Sequence, residues 1–553
     1  MADLVLGPLQ RYADETHATV WVETDNACEV SVLGATARTF AVHGHHYALV
    51  EISGLEPGAT HAYEVALDGE RVWPPDDYEF PDPVIRTRSG RDARLAFGSC
   101  RGAAPLEPPW NLDKHEDERG LGADALTAYA HRMITADAGQ WPDLLLLLGD
   151  QVYADEAAPQ TREFIRARRD TSQPPGEEIA DFEEYTHLYR ESWSQSLVRW
   201  LLSTVPVAMM FDDHDVIDDW NISEQWVRDM RATDWWESRI VGALASYWIY
   251  QHLGNLSPEA LDNDAVYQRV KALDDAGDLL DDVVHTADRQ PETIRWSFDR
   301  RLGDTYLVVV DSRAGRVLTE GHRDMLDPDE WDWLEDKLST PGRRLLIGST
   351  LPILMPASLH DAERTNQHIA SGVWGPRAAR MAERVRREFD LEHWPAFPVG
   401  FDRMMALIGD IAARDDAPDS ITLLSGDVHH GYVTRLVMQH DRCPVHQVVA
   451  SPMRQTVTPS IRRIYRTGVG RVGRFAGRVM TRVVGLDRPQ VQWERCTEPL
   501  FANLVATLDS SGSGTFLEIE TAHQTSPTGP AELRPAIEMK LASARTPSAP
   551  SPS

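Results

Sequence analysis

Four short segments of this sequence carry side chains of the kinds that bind metal ions, and each directly follows an apolar run. The segments are FGSC, GDQVY, DDHD and GDVHH. Their candidate residues are Cys100; Asp150 and Tyr153; Asp212, Asp213, His214 and Asp215; and Asp427, His429 and His430. Thiolate, carboxylate and imidazole groups are the usual protein ligands of metal ions. One such segment alone fits a helix cap or a packing residue, but four together indicate a metal centre.

The runs that precede these segments predict the elements that position them. Continuous apolar stretches such as PDLLLLLGD, VPVAMMFDDHD and SITLLSGDVHH are typical of strands buried on both faces. Helical patterns lie between them, for example over residues 181–203 and 374–390. This alternation predicts an α/β fold, in which ligands bind beyond the carboxyl ends of the strands.

The chain divides into three predicted regions. Residues 1–90 alternate apolar and polar positions with period two, and ISGLEPGATHAYEVALDG resembles the fibronectin type III pattern, so a small β-sandwich is expected there. Residues 91–540 form the α/β domain, with an acidic helical insertion at 255–295 and a basic one at 458–486. Residues 541–553, which include TPSAPSPS, are expected to be a disordered tail.

Composition excludes several classes of protein. The 553 residues carry a formal net charge of −31, which argues against general nucleic-acid binding. A hydrophobic content of 42% argues against a disordered chain, and no stretch is long enough to span a bilayer. The four cysteines are scattered, and the N-terminus, which keeps its Met, shows no signal peptide. We therefore expect a cytoplasmic protein.

The order of the four segments resembles the calcineurin-like metallophosphoesterase superfamily and, within it, the PhoD-like alkaline phosphatase/phosphodiesterase family. FGSC stands where the superfamily has D-x-H, GDQVY replaces G-D-x-x-D, DDHD replaces G-N-H-[DE], and GDVHH replaces G-H-x-H. The resemblance covers roughly residues 1–510. It implies an α/β sandwich of two mixed sheets flanked by helices, and metal-dependent hydrolysis of phosphate esters by an activated hydroxide. The alternative is a phosphate-ester-binding or scaffold protein that keeps the fold without turnover.

The superfamily's two-metal template assigns the candidate residues to two ions. One ion takes Cys100, Asp150, Tyr153 and His429. The other takes Asp150 as a bridge, Asp427, and Asp213 or one of its alternatives, which are Asp212, Asp218, Asp219 and Asn221. Thiolate, phenolate and imidazole donors favour a Lewis-acidic transition metal at the first site. The phenolate position is shared with purple acid phosphatases, and this resemblance implies Fe³⁺ there. At the second site Ser349 and Thr350 stand where the superfamily has a histidine, so an all-oxygen set favours Ca²⁺, with a different divalent pair as the alternative.

Other polar residues receive roles by the same resemblance. His214 is expected near the leaving group as a general acid, or alternatively as a residue that orients Asp213. Arg101 and Arg313 are candidates for binding the phosphate. His430 is expected to support the metal ligands and not to bind a metal itself.

The basic segment at 461–485 contains seven arginines and no acid. It fits a solvated helix, the mouth of the active site, or an anionic membrane surface. Exported members of the family carry a signal sequence, and none is seen here. A cytoplasmic enzyme need not scavenge external phosphate, so its physiological substrate could be a monoester, a diester or a phospholipid head group.

Overall fold

The structure is a computed structural model that describes residues 2–90, 92–438, 442–456, 480–486, 489, 491–510 and 512–544. Most of the basic segment at 461–485 and nearly all of the predicted tail lie outside these residues. The N-terminal region contains ten strands: β1 (Leu4–Ala13), β2 (Ala18–Thr24), β3 (Glu29–Val32), β4 (Ala35–Arg38), β5 (Phe40–Val42), β6 (His45–Ile52), β7 (Thr60–Ala62), β8 (Val65–Leu67), β9 (Glu70–Trp73) and β10 (Val84–Arg86).

Two four-stranded antiparallel sheets form the predicted sandwich in this region. Their strand orders are β1-β2-β6-β5 and β4-β3-β8-β9, and β7 pairs separately with β10. Val20 and Val22 of β2 face the core between the two sheets, whereas Trp21 packs in the core of the larger α/β part. Arg11, fully buried, donates to the carbonyls of Val207 and Gln251 in that part. The sandwich is therefore buried on both faces of its first sheet.

The α/β part contains thirteen further strands among the described residues: β11 (Arg94–Gly98), β12 (Leu144–Leu148), β13 (Val207–Met210), β14 (Phe298–Leu302), β15 (Thr305–Val310), β16 (Arg344–Ser349), β17 (Ser420–Ser425), β18 (Tyr432–Val437), β19 (Val445–Val449), β20 (Gln492–Arg495), β21 (Leu504–Asp509), β22 (Gly514–His523) and β23 (Glu532–Ser543). They form a six-stranded sheet, β13-β12-β11-β21-β22-β23, and a seven-stranded sheet, β14-β15-β16-β17-β19-β18-β20. The six-stranded sheet is parallel over β13, β12 and β11 and antiparallel from β11 to β23. The seven-stranded sheet has a parallel centre and antiparallel edges. The prediction of two mixed sheets is confirmed.

Helices flank these sheets, and their bounds are α1 (Ala125–Thr135), α2 (Pro159–Arg168), α3 (Phe182–Trp193), α4 (Ser196–Thr204), α5 (Glu224–Met230), α6 (Trp236–Tyr247), α7 (Pro258–Asn263), α8 (Ala265–Lys271), α9 (Gly277–Arg289), α10 (Pro328–Leu338), α11 (Ala357–Ala370), α12 (Pro376–Glu388) and α13 (Pro398–Ala413). The acidic stretch at 255–295 forms α7, α8 and α9. The helix expected over 181–203 is divided into α3 and α4, because Gln195 between them binds Arg101 and the carbonyl of Ala104. These tertiary contacts outweigh the local helical preference.

The core explains why the strands read as continuous apolar runs. Alternate residues of a strand point to opposite faces of its sheet. Leu307 and Val309 of β15 pack with β12 in the core between the two sheets, while Val308 and Val310 pack against α10 and α13 on the outer side. Because both faces are covered, strands such as β12 and β13 have no polar position, and their polar residues begin where the strands end.

The last strand, β23, extends to Ser543, so residues 541–543 of the predicted tail are ordered in a sheet.

Among the helices of the described residues, none combines the length and the apolar character that crossing a bilayer requires.

Candidate metal centre

The candidate residues meet where the two sheets approach each other. The parallel neighbours β11, β12 and β13 end at the same edge, which places Cys100, Asp150 and Asp213 side by side. Strand β17 of the other sheet ends at Ser425, and Gly426 and Asp427 follow it to the same place. A side chain at position 426 would meet the carbonyl of Leu148 at 2.6 Å, so this close approach requires glycine.

Three overlapping groups of ligand atoms result, each with its atoms within 4.8 Å of one another. The groups are Cys100, Asp150 and His429; Asp150, Asp213 and His214; and Asp212, Asp213 and Asp427. Asp150 joins the first group to the second, and Asp213 joins the second to the third. The structure therefore brings together the carboxylates, the thiol and the imidazole that the sequence predicts as metal ligands.

The backbone is strained at three of these positions. Cys100, Asp427 and His429 have φ angles of 54°, 62° and 50°, in the left-handed region that residues other than glycine rarely adopt. Such a conformation costs about 1–3 kcal/mol per residue and persists where the surrounding structure imposes it. All three strained residues belong to the groups of candidate ligands.

Burial of these acids is not matched by hydrogen bonds. Both carboxylate oxygens of Asp150, the hydroxyl of Tyr153 and one oxygen of Asp213 are buried and find no hydrogen-bond partner among the described residues. Burial raises the pKa of Asp150 well above its usual range, and Asp213 and Asp212 act in the same direction. Burial likewise raises the pKa of the Cys100 thiol, with the charges of Asp150 and Asp427 adding to the effect. A bound cation would reverse both effects, so the residues present fit a metal centre.

Arg313 does not lie free to bind a phosphate, contrary to the sequence-based expectation. Its guanidinium is completely buried and contacts Asp212, Asp213 (3.2 Å) and Glu392. Burial works to raise the pKa of Asp213, but Arg313 and His214 outweigh it, and the pKa lies below the usual range. Arg313 therefore neutralises part of the buried negative charge.

Arg101 is likewise engaged elsewhere. Its guanidinium binds Asp124, the N-cap of α1, with a shortest distance of 2.7 Å, and donates to the carbonyl of Ser192 and the side chain of Gln195. It is 6% exposed. These contacts hold the loop after β11 against α1 and against the junction between α3 and α4, so the guanidinium of Arg101 does not lie free to bind a phosphate.

His214 is held by a partner that the sequence did not suggest. Its Nδ1 lies 2.8 Å from Asp155, its Nε2 lies 3.7 Å from Asp218, and its ring lies 4.8 Å from the ring of Tyr153. Asp155 follows Tyr153 by two positions, and its carboxylate is also bonded by the amide of Asp218. The imidazole is thereby oriented by Asp155.

The remaining candidates surround this centre. His430 is buried, its Nδ1 contacts the carbonyl of Val428 at 2.6 Å, and its ring stacks on Tyr432 and Phe501. The backbone N–H of Asp219 donates to the carboxylate of Asp213. Burial raises the pKa of the Asp219 carboxyl to about 9, and the negative charge of Glu392 adds to the effect. The side-chain amide of Asn221 donates to the carbonyl of Arg313.

One histidine near the centre was missed by the sequence reasoning. His393 lies between α12 and α13, and its Nε2 is 3.8 Å from a carboxylate oxygen of Asp427. Ser349 and Thr350, which stand where the superfamily has its histidine, direct their hydroxyls to the carbonyl of Leu351 and the hydroxyl of Ser312. No apolar strand precedes His393, so the strand-end signal that identified the other residues is absent.

A cavity of about 560 Å³ opens beside the centre. Tyr153 and Asp155 form the part of its wall nearest the centre, and Trp110, Lys114 and Arg162 contribute an aromatic ring and two cations. The cavity is large enough for the organic part of a small ester.

The fold and this centre define the class of protein, an α/β protein of two mixed sheets with a candidate metal centre, and comparisons with known proteins identify the family. The family model described as PhoD-like phosphatase matches residues 122–472, and the chain belongs to this family. It is therefore a hydrolase of phosphoric ester bonds, and this reaction requires a metal. A second family model, a domain of unknown function (DUF7800), matches residues 1–85.

One solved structure with a similar fold supports the two-sheet architecture. The structure titled "Structure of PhoD" has a TM-score of 0.59 at 12% identity, covering 98% of this chain and 91% of that one. "GAP50 the anchor in the inner membrane complex of Plasmodium" has a TM-score of 0.32 at 8% identity, covering 82% and 90%. No curated protein sequence gives a significant match.

The role of Arg313 can be tested by Arg313→Met, which removes the charge but keeps most of the volume. We expect the free energy of unfolding to fall by about 3–5 kcal/mol, because three buried carboxylates lose their cation. Urea denaturation measures this, with Arg377→Met, at an exposed position of α12, as the control. If the Arg313→Met variant kept its stability but had a raised KM, Arg313 would instead be a residue that binds the phosphate.

Proposed function

We propose that this chain hydrolyses small phosphate esters at a centre of two metal ions that share Asp150. One ion is held by Cys100, Asp150, Tyr153 and His429, and the other by Asp150, Asp213 and Asp427. The observation that carries this proposal is Asp150 itself, a fully buried carboxylate whose two oxygens have no hydrogen-bond partner among the described residues and which belongs to two ligand groups. A carboxylate with both oxygens available is the usual bridge between two ions.

The chain's own residues set up the reaction around that centre. Two bound ions supply Lewis acidity for the attack of water on phosphorus. The backbone strain at Cys100, Asp427 and His429 orients their ligand atoms before substrate binds. Asp155 fixes the ring of His214 through Nδ1, and Nε2, which lies 3.7 Å from Asp218, is the nitrogen that gives a proton to the leaving oxygen. The cavity beside Tyr153 receives the organic part of the ester.

The donor atoms support particular metals. A thiolate, a phenolate and an imidazole around the first ion support Fe³⁺. The carboxylates of Asp213 and Asp427 support a divalent cation at the second position, where the sequence prediction is Ca²⁺ and the alternative is another divalent metal. The choice depends on whether a nitrogen donor reaches this ion.

The substrate class can be narrowed only in part. The cavity wall carries Lys114 and Arg162, whose cations suit an anionic ester. Monoesters and diesters both fit this description. A cytoplasmic location and the absence of nucleic-acid binding stay predictions of the sequence.

The first test is Asp150→Asn, which keeps the shape and removes the bridging charge. Metal-replete wild-type protein is expected to hydrolyse p-nitrophenyl phosphate or bis-p-nitrophenyl phosphate, and the variant to lose at least about a thousandfold in kcat/KM. Asp332→Asn, on the exposed side of α10, is the matched control and should keep full activity. An active Asp150→Asn protein would show that the bridge is not needed.

The iron assignment has a spectroscopic test. A tyrosinate bound to Fe³⁺ gives a visible charge-transfer band, and Tyr153→Phe is expected to abolish it while elemental analysis still finds iron. A colourless, fully active wild-type protein without iron would contradict the assignment.

The role of His214 is tested through the leaving group. His214→Asn should slow the hydrolysis of phenyl phosphate, whose leaving group needs a proton, by about 10²–10⁴-fold. For p-nitrophenyl phosphate, with a much better leaving group, the loss should be smaller. His131→Asn, at an exposed position of α1, serves as the control. Equal losses on both esters would indicate that His214 positions the centre and does not transfer the proton.

A further inference from the structure

His393 has an arrangement of contacts that neither the family match nor the strand-end pattern explains. Its Nδ1 lies 2.8 Å from a carboxylate oxygen of Glu363, and its Nε2 lies 3.8 Å from Asp427. Glu363 is on α11, and His393 follows α12, so both residues come from the helical segment between β16 and α13. This segment reaches the centre at Asp427.

The outer nitrogen of His393 faces the centre without a partner. Nε2 is buried and has no hydrogen-bond partner among the described residues. The side chain as a whole is 12% exposed. A buried polar nitrogen left unpaired is destabilising. A group that occupies the space next to Asp427 would remove this cost.

The contact with Glu363 determines what kind of group that is. A carboxylate bonded to Nδ1 fixes the proton of a neutral imidazole on Nδ1, so the lone pair of Nε2 points away from Glu363. This combination of carboxylate, histidine and open Nε2 is how proteins orient histidine ligands of metal ions. The Nε2 of His393 faces Asp427, which is a proposed ligand of the second ion.

We infer that His393 is a nitrogen ligand of the second metal ion, beside Asp427, and that Glu363 orients it. The inference rests on the proposed two-ion centre. It also changes the identity expected for the second ion. Ca²⁺ binds oxygen ligands almost exclusively, whereas imidazole favours transition metals such as Zn²⁺. The second ion is then a transition metal, and the all-oxygen set deduced from Ser349 and Thr350 does not apply.

The test compares metal binding by wild type, His393→Ala, Glu363→Gln and the control His368→Ala, which lies on the same helix as Glu363. Protein that carries its first ion but is stripped of the second is titrated with Zn²⁺ and, separately, with Ca²⁺ in a calorimeter. We expect wild type to bind Zn²⁺ more tightly than Ca²⁺. His393→Ala should weaken Zn²⁺ binding by about a hundredfold or more, and Glu363→Gln by about 10–100-fold, with Ca²⁺ affinity little changed.

The visible band of the first ion gives a second readout. It should be unchanged in His393→Ala, because the histidine is proposed to bind only the second ion. Equal Zn²⁺ affinity in wild type and His393→Ala would overturn the inference while leaving the two-ion centre in place. A wild-type protein that binds no second ion at all would overturn the two-ion centre, and this inference with it. Glu363→Gln keeps the volume of the side chain, so a loss of affinity there cannot be attributed to a collapsed fold.

Discussion

Burial of negative charge around Asp150 is the constraint on which the rest of this structure depends. Asp150, Asp212 and Asp213 are buried, and Asp427, which is partly exposed, lies beside them. An uncompensated buried carboxylate is costly enough to take up a proton instead. Arg313 offsets part of this charge through Asp212 and Asp213. The unpaired oxygens of Asp150 require further positive charge, and metal ions are the cations that fit a site with a thiol and an imidazole beside it.

The two-sheet architecture is what allows so many acids to meet. Parallel strands of one sheet bring Cys100, Asp150 and Asp213 to a common edge, and β17 adds Asp427 from the second sheet. The approach of the sheets is close enough that only glycine fits at position 426. The apolar core on both faces of the strands holds the backbone in place while the first residues after the strands adopt strained conformations. Packing therefore supplies the rigidity that the polar centre needs.

Much of this could be predicted from the sequence, because a strand buried on both faces has a distinct pattern and ends where the pattern ends. That signal located Cys100, Asp150, Asp427 and the two mixed sheets. It could not locate partners that come together only in the folded chain. Arginine next to a strand end looks the same whether it binds phosphate or a buried carboxylate, so Arg101 and Arg313 were assigned to the wrong partners. His393 follows a helix, where no pattern marks it, and only the fold brings it to Asp427.

The overall charge of −31 takes on a more specific meaning in this setting. Most acids solvate the surface, but a few are buried and define where cations bind. Anomalous diffraction from a crystal of the metal-loaded protein tests this account most directly. It predicts two anomalous peaks, one on each side of the Asp150 carboxylate, with Cys100 at one and Asp427 at the other. A single peak, or peaks that do not contact Asp150, would contradict the central claim.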